Sequence, residues 1–175
     1  MRGKLFVVEG SDASGKATQS RLLVKRLGKQ GKRAELVSFP RYSSFFGKLV
    51  KRYLRGGFGP METLPAQLPA LLYALDRYDA MPLLERKFKQ GTVMVADRFT
   101  ASNIAYQGAK LSGKRQREFV AWVRALEAGL PKPNVTIYLD VPVGVSQNLM
   151  KSRGRGRDLH ERNVAYLKKV RKIYL

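Results

Sequence analysis

Residues 5–19 place the strongest constraint on what this chain can become. Leu5, Phe6, Val7 and Val8 are consecutive and apolar, Glu9 follows, and Gly10-Ser11-Asp12-Ala13-Ser14-Gly15-Lys16 leads into a helical pattern. A buried strand that turns through glycines into a helix gathers backbone N–H groups and a helix N-terminus around one point. That arrangement cradles phosphate oxygens. Gly10, Gly15 and Lys16 satisfy G-x-x-x-x-G-K, but Ala17 stands where Ser or Thr normally offers a hydroxyl to Mg2+. Lys16 is expected to reach the outer phosphates of a nucleotide. The amides of Ser14, Gly15, Lys16 and Ala17 would hold the β-phosphate and Thr18 the α-phosphate. Thr18, one residue further on, does not replace the missing hydroxyl at the metal. Asp12 is an acid within a field suited to anions, so it is either a turn former or a contact to Mg2+, direct or through water.

The rest of the chain alternates in the same way. Strand patterns cover Lys4 to Glu9, Arg33 to Phe39, Thr92 to Ala96 and Val135 to Leu139. Between them the spacing predicts helices over Lys16 to Gln30, Phe45 to Leu54, 100–111, 114–128 and Gly144 to Met150. The longest helical pattern is Pro65 to Lys89, with Leu68, Leu71, Leu72, Leu75, Leu83 and Leu84 as its inner stripe and Pro82 interrupting it. Asp158 to Leu175 closes the chain, with Asp158 and Glu161 at capping-box spacing. This order predicts one three-layer α/β domain, residues 1–175, around a parallel sheet. Ligands of such folds bind beyond the carboxyl ends of the strands. All four strands end there in polar residues: Glu9 with the loop, Pro40-Arg41, Asp97-Arg98, and Asp140.

Composition narrows the chemistry. Cysteine is absent, so no disulfide framework, thiolate metal site or cysteine nucleophile is available. No apolar run approaches the ~20 residues of a bilayer-spanning helix, and the first residues run straight into a strand, so neither membrane segment nor signal peptide is expected. Thirty-four Lys and Arg against thirteen Asp and Glu give a net charge of +21. Such a surface attracts nucleotides or nucleic acid, or it reflects a generally basic proteome. Phosphoryl transfer relies on charge neutralisation, so arginines should converge on the transferred group. The candidates are Arg41, Arg98 and the glycine-spaced run Lys151, Arg153, Arg155, Arg157. That run suits a mobile lid over phosphates or a nonspecific nucleic-acid arm.

Taken in order, these motifs resemble the thymidylate kinases, a branch of the P-loop nucleoside monophosphate kinases. The resemblance rests on Gly10–Gln19 with its G-K-x-T-Q ending, on Phe39-Pro40-Arg41, and on Tyr73 with Arg77 four residues later. It continues through Asp97-Arg98-Phe99, Ser102, Asn103, Tyr106-Gln107, Gly129-Leu130-Pro131-Lys132-Pro133 and Leu139-Asp140-Val141-Pro142. It implies a three-layer P-loop NTPase fold with a short basic lid near 151–158. The usual fifth strand is not legible here, and the chain is short at its C-terminus relative to the family. The implied reaction transfers the γ-phosphoryl group of ATP to dTMP, with Mg2+, in dTTP biosynthesis, in a cytoplasmic homodimer.

The resemblance also implies roles for individual residues. Residues Gly10 to Thr18, including Ser11 and Ala13, would bind ATP. Tyr73 would stack on thymine, Arg77 would hold its O4 edge, and Asn103 and Gln107 would read the base. Tyr106 would lie against the deoxyribose, with Phe39 and Ser102 completing the substrate site. Arg41 and Arg98 would hold the acceptor phosphate, and Asp97, with Asp12, would stand at the metal. The loop has Ala13 and Ser14 where an arginine could stand, so the lid would supply the catalytic arginine, with Arg153 the first choice. His160, the only histidine, is expected on the surface of a helix's first turn. The alternatives are a relaxed deoxynucleoside monophosphate kinase and an inactive homologue that binds nucleic acid through its basic surface.

Overall fold

The computed structural model describes residues 2–61, 63–151, 160 and 163–175. Its centre is a parallel sheet of four strands, β1 (Leu5–Gly10), β2 (Ala34–Ser38), β3 (Val93–Asp97) and β4 (Val135–Leu139), in the order β2-β3-β1-β4. Val8 lies beside Asp97 on one side and Ile137 on the other; β1 and β4 end level, with Gly10 beside Leu139, and β3 ends two residues earlier. Leu5, Val7, Val8, Met94, Val95 and Ala96 are buried, as continuous apolar runs in a doubly covered parallel sheet should be.

Helices α1 (Lys16–Lys29), α2 (Phe45–Leu54), α3 (Gln67–Asp79), α4 (Met81–Lys89), α5 (Thr100–Gly108), α6 (Gly113–Leu126), α7 (Val143–Lys151) and α8 (Val164–Tyr174) complete the described fold. The long Pro65–Lys89 pattern is thus two helices that part at Ala80. Pro82 falls in the first turn of α4, where its missing N–H breaks no helical bond. The leucine stripe expected inside α3 does not hold. Leu71 and Leu75 are exposed, while Pro69, Ala70, Leu72, Ala74, Asp76 and Arg77 are buried. The buried face of α3 carries the charges because Arg77 faces a pocket at the strand ends and Asp76 bonds Arg41 and Ser44. α8 starts at Val164 with Asn163 as its cap, whose side chain accepts from the Tyr166 amide at 2.9 Å. Asp158 and Glu161 of the proposed capping box lie outside the described residues.

Candidate active site

The loop after β1 is shaped by backbone conformations that side chains resist. Gly15 is left-handed, with φ of 89°. Gly10 has φ of 151°, and a Cβ there would meet Leu139 O at 2.8 Å. α1 has no side-chain cap, so its N-terminal amides are left for another acceptor. Lys16 is buried, with Nζ donating to Ser11 O at 2.5 Å and to Ser14 Oγ at 3.4 Å. Burial first, and then the positive charge of Arg98, lower its pKa to about 7 against the pull of Asp12, Asp97 and Glu9. Ala17 and Thr18 are exposed in the first turn of α1.

Arg98 is the convergence point at the end of β3. Its φ of 68° is unusual for a residue with a Cβ and is the kind of local strain that gathers at functional sites. The guanidinium donates to Gly10 O at 3.1 Å, Ser102 Oγ at 3.3 Å, Asp12 Oδ1 at 2.5 Å and Tyr106 Oη at 3.3 Å. Tyr106 Oη donates to the other Asp12 oxygen at 2.7 Å. Burial alone would raise the Asp12 pKa, but Arg98, Lys16 and the Tyr106 hydroxyl outweigh it and lower it.

Asp97 differs. Burial raises its pKa despite Arg98 and Lys16, and its carboxylate makes no hydrogen bond or ion pair among the described residues. Of the two acids expected at a metal, Asp97 therefore has oxygen atoms to offer, whereas both oxygens of Asp12 are engaged. No group of three metal-ligating side chains occurs among the described residues, so a cation here would also need phosphate or water oxygens.

The expected substrate residues also meet. Phe39, Tyr73, Arg77 and Arg98 line one pocket together with Ser102, Asn103, Tyr106 and Gln107, and Asp12 lies at its wall. Arg77 is fully buried and pairs through Nη2 with Glu127. Asn103 Nδ2 donates to that carboxylate at 2.8 Å and to Ala70 O at 3.1 Å. Arg77 Nε, Asn103 Oδ1 and both amide atoms of Gln107 are buried with no partner. Arg41 is not among the lining residues. Asp76 accepts from its backbone N at 2.7 Å and its Nε at 3.2 Å, and Asp79 accepts from Nη2.

The chain that builds this site is similar to known proteins over nearly its whole length. A family model described as thymidylate kinase matches residues 8–175. The chain belongs to the thymidylate kinase family. It is 36% identical to the thymidylate kinase of Homo sapiens over 161 residues, covering 92% of this chain and 69% of that one. A probable thymidylate kinase of Pyrobaculum aerophilum is 35% identical over 170 residues, covering 96% of this chain and 79% of that protein. The solved thymidylate kinase of Candida albicans superposes with a TM-score of 0.82 at 29% identity, covering 99% of this chain and 76% of that one.

Three side chains of this thymidylate kinase family member escaped the sequence reading or ran against it. Glu127, which holds Arg77 and Asn103, was missed. Its signal was its place four residues after Val123 and eight after Phe119, on the buried stripe of α6. Glu9 stands out in the sequence only as a strand end. It is 1% exposed and accepts from Phe99 N at 2.9 Å, Ser102 N at 3.2 Å and Ser102 Oγ at 2.6 Å. His160 corrects the expectation of a surface residue. It is 3% exposed and lines the pocket, because Tyr53, Tyr106 and Tyr166 enclose its ring. Arg153, Arg155 and Arg157, and with them the lid expected after Lys151, lie outside the described residues.

Proposed function

We propose that this chain transfers the γ-phosphoryl group of ATP to dTMP, giving ADP and dTDP for dTTP biosynthesis. Membership of the family supports the reaction. The observation that carries the base assignment is the set of buried, unpartnered atoms on Arg77, Asn103 and Gln107 in one pocket. Each such atom costs about 1–3 kcal/mol when left without a partner. A pyrimidine with carbonyl and imide edges supplies the missing donors and acceptors. In this reading Tyr73 stacks on the ring, Arg77 holds the O4 edge, and Asn103 and Gln107 read the base. Tyr106 lies against the deoxyribose and disfavours a 2′-hydroxyl, with Phe39 and Ser102 completing the wall.

Residues Gly10 to Thr18 hold ATP, with Lys16 neutralising its outer phosphates. A phosphate oxygen of dTMP attacks the γ-phosphorus while the bond to the β–γ bridging oxygen breaks, and ADP leaves with that electron pair. The attacking oxygen is already anionic at neutral pH, so no general base is needed. Arg98 and Arg41 orient the acceptor phosphate, which competes with Asp12 and with Asp76 and Asp79 for them. Arg153 is the proposed arginine of the lid, because the loop has none. Asp97 and Asp12 would hold Mg2+, directly or through water, and the ion would offset charge on the phosphates. A homodimer is what the family resemblance implies. Among the described residues no helix is long and apolar enough to cross a membrane, and a cytoplasmic location is what the family resemblance implies.

A coupled ADP-release assay tests the proposal. Lys16→Ala and Arg98→Ala should each reduce turnover of dTMP by about 100-fold or more. Equal rates with dTMP, dUMP, dGMP and dCMP would overturn the thymine assignment. Absence of dTDP, together with tight and steeply salt-dependent DNA binding, would favour the nucleic-acid alternative instead.

A further inference from the structure

His160 follows the basic run in sequence, yet its ring lies in the pocket wall, and a chain of hydrogen bonds leads to it from outside. Lys110 Nζ donates to Tyr53 Oη at 2.9 Å, and Tyr53 Oη lies 3.0 Å from His160 Nε2. An ammonium can only donate, so the phenol oxygen accepts from Lys110, and its bond with Nε2 runs toward the imidazole when Nδ1 carries the ring proton. The imidazole ring in turn stacks on Tyr106, with centroids 5.3 Å apart and 25° between planes. Arg98 lies 5.0 Å from the centre of the same Tyr106 ring. Tyr166 touches both rings and donates its hydroxyl to Tyr106 O.

We propose that Lys110, Tyr53 and His160 form a relay that holds the imidazole neutral, with Nε2 accepting and Nδ1 protonated, so that His160 is the positioning residue for Tyr106. The relay acts on the monophosphate pocket and so rests on the function proposed above. Its chemical sense lies in the surroundings. Tyr53 from α2, Tyr106 and Arg98 from around α5, Lys110 from beyond α5, Tyr166 from α8 and Asp12 from the loop face the ring or its immediate partners. A third cation beside Arg98 and Lys110 is disfavoured, and a neutral flat ring is what can stack on Tyr106 without repelling Arg98. Burial above all lowers the His160 pKa to about 3, and Lys110 and Arg98 add to that against Asp12. Tyr106 is thereby fixed where its hydroxyl meets Asp12 and Arg98, the pair that a substrate phosphate must part.

The test has an arm that does not depend on catalysis. His160 is the only histidine, so its imidazole resonances need no assignment by mutation. Long-range proton–nitrogen NMR on the whole chain should show the Nδ1–H tautomer and no titration from about pH 8 to pH 5. Tyr53→Phe should shift the nitrogen pattern toward a tautomer mixture. An Nε2–H tautomer, or a midpoint near the ordinary value of 6.5, would overturn the relay even if the protein were no kinase at all. In the second arm, Tyr53→Phe and His160→Phe should each raise KM for dTMP about tenfold, with kcat and KM for ATP changed less than about twofold. The double variant should lose no more than either single one, because both cut the same chain. Multiplicative losses, or an unchanged KM for dTMP, would also overturn it. Failure of the wild-type chain to make dTDP would sink the kinase reading and leave the NMR result to decide the relay.

Discussion

Lys16 carries a charge that its surroundings do not secure. With its pKa lowered to about 7 by burial and by Arg98, it is partly neutral at physiological pH. A triphosphate brings the negative charge that would restore the ammonium, so ATP binding should take up a proton near pH 7.5. Calorimetry in buffers of different ionisation enthalpy measures this directly, and a heat independent of buffer would refute it. Ala17 next to it tests the metal site. Ala17→Thr adds a hydroxyl in the exposed first turn of α1 and should lower the Mg2+ concentration needed for half-maximal activity severalfold. An unchanged Mg2+ titration would place the ion elsewhere. Residues such as Lys16 and Arg98 were legible in the sequence because local spacing fixes both their element and their direction. Glu127 and His160 were not, because their meaning lies in partners far along the chain: Arg77 is 50 residues from Glu127, and Tyr53 is 107 from His160.

Among the elements, α5 does most to assemble the pocket, and its N-terminus is capped from outside. No side chain of its own cap position accepts a bond. The β1 carboxylate of Glu9 does so instead, taking the amides of Phe99 and Ser102 while Tyr174 of α8 donates to it at 3.1 Å. A negative charge at that position also suits the helix dipole. Glu9→Gln keeps one acceptor but sets an amide donor against these N–H and O–H groups. It should cost about 1–3 kcal/mol in urea unfolding and reduce turnover through misplaced Arg98 and Tyr106. Full stability with normal turnover would show that the cap is dispensable. Element type and order were readable from periodicity, and the bounds of α2 and β4 agree with the sequence expectation. The orientation of α3 was not readable, since hydrophobic spacing favours Leu71 and Leu75 while the pocket takes Arg77, and Arg41 with Ser44 takes Asp76, on the buried face.

For the whole molecule, the lowered pKa values of His160 and Lys16 act in the same direction on stability. His160 titrates at about 3 when folded and 6.5 when unfolded, so between those values the unfolded chain binds the extra proton. Stability from this group is therefore lost as pH falls from about 6.5. Lys16 titrates at about 7 when folded and 10.5 when unfolded, so the unfolded chain again binds more protons, and stability rises with pH through that window. Asp97, with its raised pKa, opposes this only on the acid side, where the folded form takes its proton first. A net charge of +21 adds self-repulsion that eases as lysines begin to lose protons. The melting temperature should thus climb from about pH 5 through neutrality and be highest on the alkaline side. The two contributions separate by mutation: His160→Gln should flatten the acid limb and leave the alkaline one, and Lys16→Met should do the reverse. A wild-type optimum near pH 6, or one substitution flattening both limbs, would show that these buried groups do not govern the pH response.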